Sequence, residues 1–394
     1  MQYRTDPKTG KELSALGFGC MRFSRGANAQ IQMEKAEQLL VSAIGRGVNY
    51  LDTAYVYPGS EVAVGKILAK NGLREKVNLA TKLPHGKCRR YEDFDKIFAV
   101  QQERLQTERF DYYLIHNLSG AADWRRLEEL GIGRWIAEKK AAGQIGQIGF
   151  SFHGAQKEFL ALLDAYPWEF VQIQYNYMDE NLQAGRAGLQ KAAAMGLPVI
   201  VMEPLLGGKL ATALPGKAAK LFREAGGDRS PAAWALRWLW DQPEVTVILS
   251  GMNAMEQLDE NIAAAEDAPP RCLSEGDAAF FAKLAAIFRE VYRVPCTGCN
   301  YCMPCPKGVN IPGCFAAYNA SYAIGWIEGV KEYVINTNAI KAENSTGYNC
   351  AQCGACEKKC PQGIAIMREL RAVGRRLEPL PLRAGFKVAG KVVK

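Results

Sequence analysis

The sequence predicts an α/β protein, a (β/α)₈ barrel of the TIM type followed by a small, cysteine-rich helical domain. Eight short apolar or β-branched runs alternate with amphipathic helical patterns over the first two thirds of the 394 residues, as is typical of strands buried on both faces of a parallel sheet. Eight strand–helix units in about 265 residues match the size of such a barrel. Nine of the twelve cysteines then fall between Cys296 and Cys360, which indicates a second domain of different construction.

Helical periodicity separates the predicted strands, and it is clearest at residues 33–44, 91–106, 127–140 and 231–240. A doubly wound sheet is the alternative arrangement, but residues 17–22 after the first strand lack the G-x-G-x-x-G pattern of dinucleotide-binding sheets. We therefore expect the barrel, with strands at residues 13–20, 48–53, 77–83, 110–116, 145–152, 170–175, 197–202 and 245–250.

The cysteines form two runs with the spacing of iron–sulfur ligands. Residues 350–361 read C-x₂-C-x₂-C-x₃-C-P, in which three thiolates bind one cluster and the fourth binds another. Residues 296–306 repeat the pattern with one residue fewer before the last cysteine. We therefore expect eight thiolate ligands for two [4Fe–4S] clusters, one held by Cys296, Cys299, Cys302 and Cys360 and the other by Cys350, Cys353, Cys356 and Cys305.

A pair of Cys₄ zinc sites is the alternative use of these cysteines, although zinc sites rarely repeat C-x₂-C-x₂-C or place proline after the last cysteine. Cys314 lies outside both runs and is expected to be a packed thiol. The 44 residues from 306 to 349 include helical segments around 314–324 and 326–334. This region resembles the α-helical ferredoxin module of respiratory enzymes, which moves single electrons.

The last barrel helix is expected to end at Ala268, because two prolines follow it. We expect the barrel over residues 1–268, a linker helix over 269–294, the ferredoxin-like domain over 295–372 and a basic tail over 373–394.

Positive charge is concentrated at the end of the chain. Residues 368–394 hold eight Lys or Arg and two Glu, a net charge of +6 out of the formal +8. A solvated helix face with a loose terminus explains this run. Docking of an acidic one-electron carrier such as ferredoxin or flavodoxin is the other interpretation, and nucleic acid is not expected because the basic residues are not interleaved with aromatic ones.

The first residues lack the charged-then-apolar pattern of an export signal, and no apolar run approaches the roughly 18 residues of a membrane helix. We therefore expect a cytoplasmic protein without a membrane segment.

Four polar side chains stand at the ends of the second, third and fourth predicted strands, where barrels place their catalytic residues. Asp52 lies at the end of the second strand and Tyr57 follows it, Lys82 lies at the end of the third strand, and His116 ends the fourth. Hydride delivery to a carbonyl leaves an alkoxide that needs a proton, and Tyr57 can give it if an adjacent ammonium lowers its pKa of about 10. Lys82 would supply that charge, Asp52 would hold Lys82, and His116 would orient the carbonyl oxygen.

This order of Asp, Tyr, Lys and His resembles the catalytic tetrad of the aldo-keto reductases, and the resemblance covers residues 1 to about 266. Residues 149–154 and 202–205 are similar to the iron–sulfur branch of that family in anaerobes. The resemblance implies a small carbonyl or alcohol substrate and a nicotinamide cofactor, NADP(H) or NAD(H). It also implies the cofactor contacts, which would be Gly19, Cys20, Met21, Asp52, Ser151, Gln172, Met202, Pro204, Leu205, Gly207, Ser250, Gly251, Gln257, Glu260 and Asn261.

Three departures from the family pattern affect the implied cofactor pocket. Met202 stands where the family usually stacks an aromatic ring on the nicotinamide, and Phe152 replaces Asn beside Ser151. In residues 250–261 the Lys and Arg that grip the 2′-phosphate in the family are replaced by Gly or Met and by Gln257. A phosphate without a cationic partner loses a charge-assisted hydrogen bond, so NADH use or weak nicotinamide binding stays open.

Three functions are consistent with these residues. The leading hypothesis is a nicotinamide-dependent carbonyl reductase or alcohol dehydrogenase whose clusters connect the barrel to a one-electron carrier. The second keeps the hydride chemistry and makes the clusters structural. The third is an iron–sulfur electron-transfer subunit whose barrel is a docking scaffold without hydride chemistry; the intact tetrad argues against it and the altered cofactor pocket argues for it. Nothing in the loop at residues 117–124 identifies a substrate.

Overall fold

The chain begins with an antiparallel hairpin of two short strands, β1 (Tyr3–Thr5) and β2 (Glu12–Ser14). The predicted first strand is therefore divided between this hairpin and the barrel. Its apolar character continues through the hairpin because the fully buried Leu13 packs in the core inside the barrel. The computed structural model describes residues 1–392 except 213, 227–228, 268 and 342, and of residues 387–392 it describes only the backbone.

All eight predicted barrel strands form, which confirms the predicted fold class. Each pairs in parallel with its neighbours, and the last returns to the first to close the barrel. In order around the barrel they are β3 (Leu16–Gly19), β4 (Tyr50–Asp52), β5 (Asn78–Leu83), β6 (Phe110–Leu118), β7 (Ile145–Phe152), β8 (Phe170–Gln174), β9 (Val199–Met202) and β10 (Val245–Ser250).

Alternation along the strands decides which side chains reach the top of the barrel. Tyr50 and Ala80 fill its interior, and side chains two residues further along a strand point to the same face. Asp52 and Lys82 therefore stand above the apolar core at the carboxyl ends of β4 and β5. His116 reaches the same level on β6 by the same rule.

The helices between the strands follow the predicted pattern with one correction. The predicted helix at 127–140 is two helices, because Gly131 adopts φ 86° and interrupts the backbone. The helices are α1 (Met33–Gly45), α2 (Ser60–Lys70), α3 (Glu92–Leu105), α4 (Ala121–Glu129), α5 (Ile132–Ala141), α6 (Gln156–Ala165), α7 (Gly185–Ala194), α8 (Gly216–Ala225), α9 (Pro231–Trp240) and α10 (Met255–Glu266).

The chain forms two compact units, each made of two separate segments of the sequence. The barrel unit comprises Met1–Leu205 and Ala232–Leu273, and the cysteine unit comprises Leu206–Pro231 and Ser274–Lys394. The segment 206–231, which the sequence prediction assigned to the barrel, thus belongs to the cysteine unit. Ala268, at the predicted boundary, lies outside the described residues.

Within the cysteine unit, α8 is held to the long helix α11 (Glu275–Val291) by apolar and charged contacts. The Phe222 and Phe280 rings meet with centroids 5.4 Å apart, and Lys217 pairs with Glu290 at 2.8 Å. Helix α11 begins with a capping box between Ser274 and Asp277. It occupies most of the predicted linker.

Four further helices build the cysteine unit, and two of them lie where the sequence predicted helices. The predicted basic tail begins inside one helix and continues into the next. The side chains of Lys387 and Lys391, and Lys394 as a whole, lie outside the described residues. The four helices are α12 (Ile311–Ala323), α13 (Trp326–Thr337), α14 (Ile366–Leu377) and α15 (Leu380–Val392).

A small apolar core holds these helices together, and six of the eight candidate cluster cysteines pack against it. The described residues include no helix long and apolar enough to span a bilayer. The buried core residues are Val294, Val309, Ile311, Cys314, Phe315, Ala317, Tyr318, Tyr333, Ala339, Ile364, Ile366, Leu370, Val373 and Leu377.

Candidate active site and cluster-binding cysteines

A buried ion pair lies at the carboxyl end of the barrel. Lys82 is fully buried, and its Nζ donates to both carboxylate oxygens of Asp52 at 2.6 Å each and to the carbonyl of Thr53 at 2.7 Å. Each of the three ammonium protons thus has an acceptor. Burial lowers the pKa of Lys82 and raises the pKa of Asp52, and the attraction between the two charges opposes both shifts.

Tyr57 and His116 lie beside this pair. Lys82 Nζ is 5.2 Å from the centre of the Tyr57 ring. The Tyr57 and His116 rings meet edge to face, with centroids 6.0 Å apart and planes at 88°. Burial, reinforced by the charge of Lys82, lowers the pKa of His116 well below its usual range. His116 is therefore neutral near pH 7, with one ring nitrogen able to donate and the other to accept. The structure thus brings the four predicted tetrad residues together.

A buried polar network that the sequence analysis did not predict lies behind Lys82. Thr81 donates to Glu61 at 2.7 Å, and Gln101 donates to Glu61 at 2.8 Å and to the Lys82 carbonyl at 3.1 Å. Arg104 pairs with Glu61 at 3.1 Å. Because Glu61 and Gln101 stand on α2 and α3 facing the sheet, these bonds fix the strand that carries Lys82. The available signal was a Glu and a Gln on otherwise apolar helix faces.

Gln172 on β8 has the unsatisfied acceptor expected of a ligand site. Its Nε2 lies 3.6 Å from the sulfur of Met202, and no donor among the described residues reaches its buried Oε1. Buried polar atoms normally have hydrogen-bond partners, so this oxygen fits a ligand N–H. Ser151 pairs with Gln172 in register and accepts from the Asn117 backbone N–H at 2.8 Å. These residues fit the carboxamide of a nicotinamide.

The residues predicted after β3 and β10 also lie close together. A Cβ atom built on Gly19 would stand 3.5 Å from the Ser250 carbonyl oxygen. Asn261 donates to the Ser250 hydroxyl at 2.9 Å, and Gln257 accepts from the Asn253 backbone N–H at 2.9 Å. Both side chains therefore brace the loop that leads into α10.

The remaining predicted contacts are distributed as follows. Cys20 is fully buried, and desolvation together with the charge of Asp52 raises its pKa, so it stays a thiol. Met202 ends β9. Gly207 belongs to the cysteine unit, whereas the other predicted contacts belong to the barrel unit. Those not already placed are Met21 in the turn after β3, Pro204 and Leu205 after β9, Gly251 after β10, and the half-buried Glu260 on α10.

Arg22 is a cation near the loop after β10 that the sequence analysis did not include. A Cβ atom built on Gly251 would lie 3.4 Å from Cβ and Cδ of Arg22. Glycine at this position therefore leaves room for the arginine stem. Residues 250–261 themselves contain no Lys or Arg.

A second histidine extends the polar wall beside Ser151. His153 Nδ1 lies 3.0 Å from Gln183 Oε1, Gln183 donates to Gln174 at 2.9 Å, and Gln174 donates to Asp179 at 2.9 Å. Burial lowers the pKa of His153 to about 4, so the ring is neutral. Since Gln183 offers an oxygen, Nδ1 carries the proton and Nε2 is left as the acceptor. His153 could have been found from the sequence, because it is a histidine directly after a barrel strand.

Four cysteines line one cavity in the cysteine unit. Burial raises the pKa of the Cys302 thiol to about 12, and the nearby thiols of Cys296, Cys299 and Cys360 contribute to the rise. Among the described residues, no three His, Cys, Asp or Glu side chains are grouped as they would be around a metal ion. The lining residues are Cys296, Thr297, Cys299, Asn300, Cys302, Ile311, Pro312, Phe315, Cys360, Pro361, Gln362, Ile364 and Ile366.

This grouping joins the first cysteine run to the last cysteine of the second. A cavity lined by four thiols and by apolar side chains fits a [4Fe–4S] cluster, whose ligands are thiolates. Cys350 and Cys356, two members of the second predicted set, both pack against the small core. Cys305 also packs against the small core. Cys314 is buried within that core, as expected of a packed thiol.

Comparison with known proteins identifies both parts of the chain. Residues 15–269 match the aldo/keto reductase family, and residues 295–365 match the 4Fe-4S dicluster domain. The chain belongs to the aldo/keto reductase family. This confirms the resemblance drawn from the tetrad, and the protein is an oxidoreductase with a 4Fe-4S dicluster domain.

Several relatives share the barrel of this aldo-keto reductase. Protein tas of Escherichia coli strain K12 is 27% identical over 324 residues, covering 66% of this chain and 92% of that protein. The holo form of a Bacillus halodurans aldo-keto reductase is 24% identical with a TM-score of 0.60, and a Klebsiella pneumoniae aldo-keto reductase in complex with NADPH is 21% identical with a TM-score of 0.58. Each structural match covers 72% of this chain and 96% of the other.

Proposed function

We propose that this aldo-keto reductase reduces a small carbonyl compound, or oxidises the corresponding alcohol, with NADPH or NADH and with Tyr57 as the general acid. We also propose that its eight clustered cysteines hold two [4Fe–4S] clusters that exchange electrons with a one-electron carrier. The observation that carries the catalytic part is the buried ammonium of Lys82, held by Asp52 and placed 5.2 Å from the Tyr57 ring.

The ammonium prepares Tyr57 for proton transfer. A positive charge beside the ring stabilises the phenolate, so Tyr57 gives its proton to a developing alkoxide more readily than an isolated phenol. Asp52 and the Thr53 carbonyl occupy all three ammonium protons. Lys82 is therefore a fixed charge rather than a competing acid. In alcohol oxidation the same phenolate would take the proton back.

His116 would hold the substrate oxygen. Its ring stands against the ring of Tyr57 and is neutral near pH 7. A neutral imidazole can donate one N–H to a carbonyl oxygen without offering a second acidic proton. This supports proton transfer by Tyr57 and orientation of the substrate oxygen by His116.

The nicotinamide, when bound, would supply the hydride. Gln172 Oε1 would accept from its carboxamide, because that oxygen is buried and no described donor reaches it. Ser151 would bind the same group from the adjacent strand. Arg22 beside Gly251 would provide the cation that residues 250–261 lack, which favours NADPH over NADH.

A second candidate is an electron-transfer subunit whose barrel performs no hydride chemistry. Met202 at the end of β9 favours it, because the family usually stacks an aromatic ring on the nicotinamide at this position.

Carbonyl reduction by anaerobically purified wild type and Tyr57→Phe, assayed with NADH, NADPH and reduced ferredoxin, tests the proposal. Phenylalanine keeps the ring and removes the acid, so kcat should fall by about 10²- to 10⁴-fold. Nicotinamide affinity and cluster absorbance should not change. Undiminished turnover would exclude Tyr57 as the acid. A wild type that binds neither nicotinamide would favour the electron-transfer function.

A further inference from the structure

The second cysteine run includes the most accessible part of the proposed cluster sites. All eight candidate ligands lie in the described part of the chain, and Cys353 alone among them is exposed. The two residues before it, Ala351 and Gln352, are exposed as well. A cluster bound by Cys350, Cys353 and Cys356 would therefore have one edge at the surface.

Helix α14 presents a basic face next to this loop. Arg368, Arg371 and Arg375 are exposed and spaced three and four residues apart, so they share one side of the helix. The opposite side is apolar and packs into the small core; its buried residues include Leu370 and Val373. The arginines are thus directed outward rather than toward the core.

Two hydrogen bonds join this helix to the cysteine loop. Arg371 donates to the Gln352 side chain at 2.6 Å, directly before Cys353. The Met367 backbone N–H at the start of the helix donates to Glu357 at 2.8 Å. The basic face and the exposed edge of the loop therefore form one continuous surface.

The charge on this surface is strongly positive. Residues 350–377 contain six Lys or Arg and two Glu, which is a net charge of +4. Both carboxylates have local partners, since Glu357 accepts from the helix start and Glu369 pairs with Arg368 at 2.7 Å. Exposed Lys358 and Lys359 extend the positive region on the loop side.

We propose that an acidic one-electron carrier protein docks on this surface, which comprises Ala351–Cys353, Lys358, Lys359 and the exposed arginines of α14, and that electrons enter or leave through the cluster of the second cysteine run. The inference deepens the proposed function and requires that the clusters are present. One electron passes from the reduced carrier to the oxidised cluster, which oxidises the carrier and reduces the cluster by one electron each. No bond breaks and no proton moves.

The positive surface explains how the carrier would find the site. Opposite charges steer association and raise on-rates by about 10- to 10³-fold, and salt screens the effect. The other role of these cations would be to balance the anionic cluster itself, which predicts a change in reduction potential rather than in docking.

The test uses the full chain with both clusters and the variant Lys358→Glu/Arg375→Glu, which lowers the charge of the surface by four and spares the bonded Arg371. The matched control is Lys35→Glu/Lys66→Glu, which makes the same charge change at exposed positions on α1 and α2. Stopped-flow absorbance follows cluster reduction by a reduced acidic [2Fe–2S] ferredoxin and by dithionite, without nicotinamide or carbonyl compound.

At low ionic strength the second-order rate constant for cluster reduction by ferredoxin should fall, relative to wild type, about tenfold or more in the surface variant and less than about twofold in the control. At about 1 M salt, where the Debye length is about 3 Å, wild type and variant should converge. Dithionite should reduce all three proteins alike.

Two kinetic results would overturn the docking inference. One is an equal rate constant with ferredoxin in wild type and surface variant. The other is a change in rate that follows a shifted cluster potential and also appears with dithionite. Tighter, salt-sensitive binding of the surface to anionic lipid vesicles or duplex DNA than to the carrier would also overturn it. Absence of iron and acid-labile sulfide from anaerobically purified wild type would instead overturn the clusters themselves, and with them the electron-transfer part of the proposed function.

Discussion

Replacing Lys82 with methionine should destabilise the barrel by about 3–5 kcal/mol near neutral pH, the usual cost of removing one partner of a buried ion pair. Lys82 and Asp52 are 0% and 3% exposed, and both carboxylate oxygens lie 2.6 Å from Nζ. The variant leaves that carboxylate buried without its counter-charge. At about 2–4 °C per kcal/mol for a domain of this size, the Tm should fall by roughly 6–20 °C.

The loss of stability in Lys82→Met should also depend on pH, and the pKa of Asp52 determines whether it grows or shrinks as the pH rises. Burial raises this pKa, and the ammonium of Lys82 opposes the rise. Without the ammonium, the folded-state pKa stands further above the unfolded value of about 3.9. A pKa raised by folding contributes stability below the unfolded value, and that stability is lost as the pH rises through the folded value. The deficit of Lys82→Met should therefore be larger at pH 8 than at pH 5.

Thermal unfolding followed by tryptophan fluorescence measures this effect, because six of the seven tryptophans lie in the barrel unit. Adding Asp52→Asn removes the stranded charge and should recover most of the lost stability. Turnover should stay low in both variants, since Tyr57 then lacks its adjacent cation. Tyr57→Phe is the matched control, with low turnover and an unchanged Tm. A deficit below about 1 kcal/mol, a deficit independent of pH, or a double variant no more stable than Lys82→Met would refute this account.

Two further substitutions test the cofactor pocket. Gln172→Leu should weaken nicotinamide binding about tenfold or more, which corresponds to the loss of one or two hydrogen bonds. The Tm should stay the same or rise, because the substitution removes a buried acceptor that no described donor reaches. Calorimetric titration measures the affinity and thermal unfolding the Tm, and an unchanged affinity with a lowered Tm would contradict this prediction. Arg22→Ala should raise the Kd for NADPH by about tenfold or more and leave the Kd for NADH nearly unchanged. The reason is that a charge-assisted hydrogen bond to the 2′-phosphate, which only NADPH carries, contributes about 1.5–3 kcal/mol. Equal effects on the two cofactors would contradict this role of Arg22.

The barrel and the tetrad could be predicted because each follows from a local rule. Buried parallel strands appear as short apolar runs, and catalytic residues stand at strand ends, so Asp52, Lys82 and His116 were identifiable by position. The helix break at Gly131 was not predicted, since the apolar pattern runs through it and only the backbone angle shows the interruption.

What the sequence did not indicate depends on contacts between distant residues. The segment 206–231 packs with the cysteine unit through pairs such as Phe222 and Phe280, and no local pattern encodes that pairing. The unsatisfied oxygen of Gln172 and the position of Arg22 beside Gly251 likewise follow only from the three-dimensional fold. Gln and Arg occur in many different environments in proteins, so their residue types alone do not predict these contacts.

Cluster assignment gives the last prediction, because the structure groups cysteines from both runs around one cavity. Cys302→Ala and Cys360→Ala should lose the same cluster, lowering iron from about eight to about four atoms per chain and leaving identical EPR signals from the cluster that remains. Cys356→Ala should lose the other cluster and leave a different signal. All three should destabilise the cysteine unit, since bound metal contributes folding energy. Cys314→Ala, in the small core, should keep both clusters. Different signals in Cys302→Ala and Cys360→Ala would refute the shared cluster, and stoichiometric zinc without sulfide would replace both clusters with metal sites of another kind.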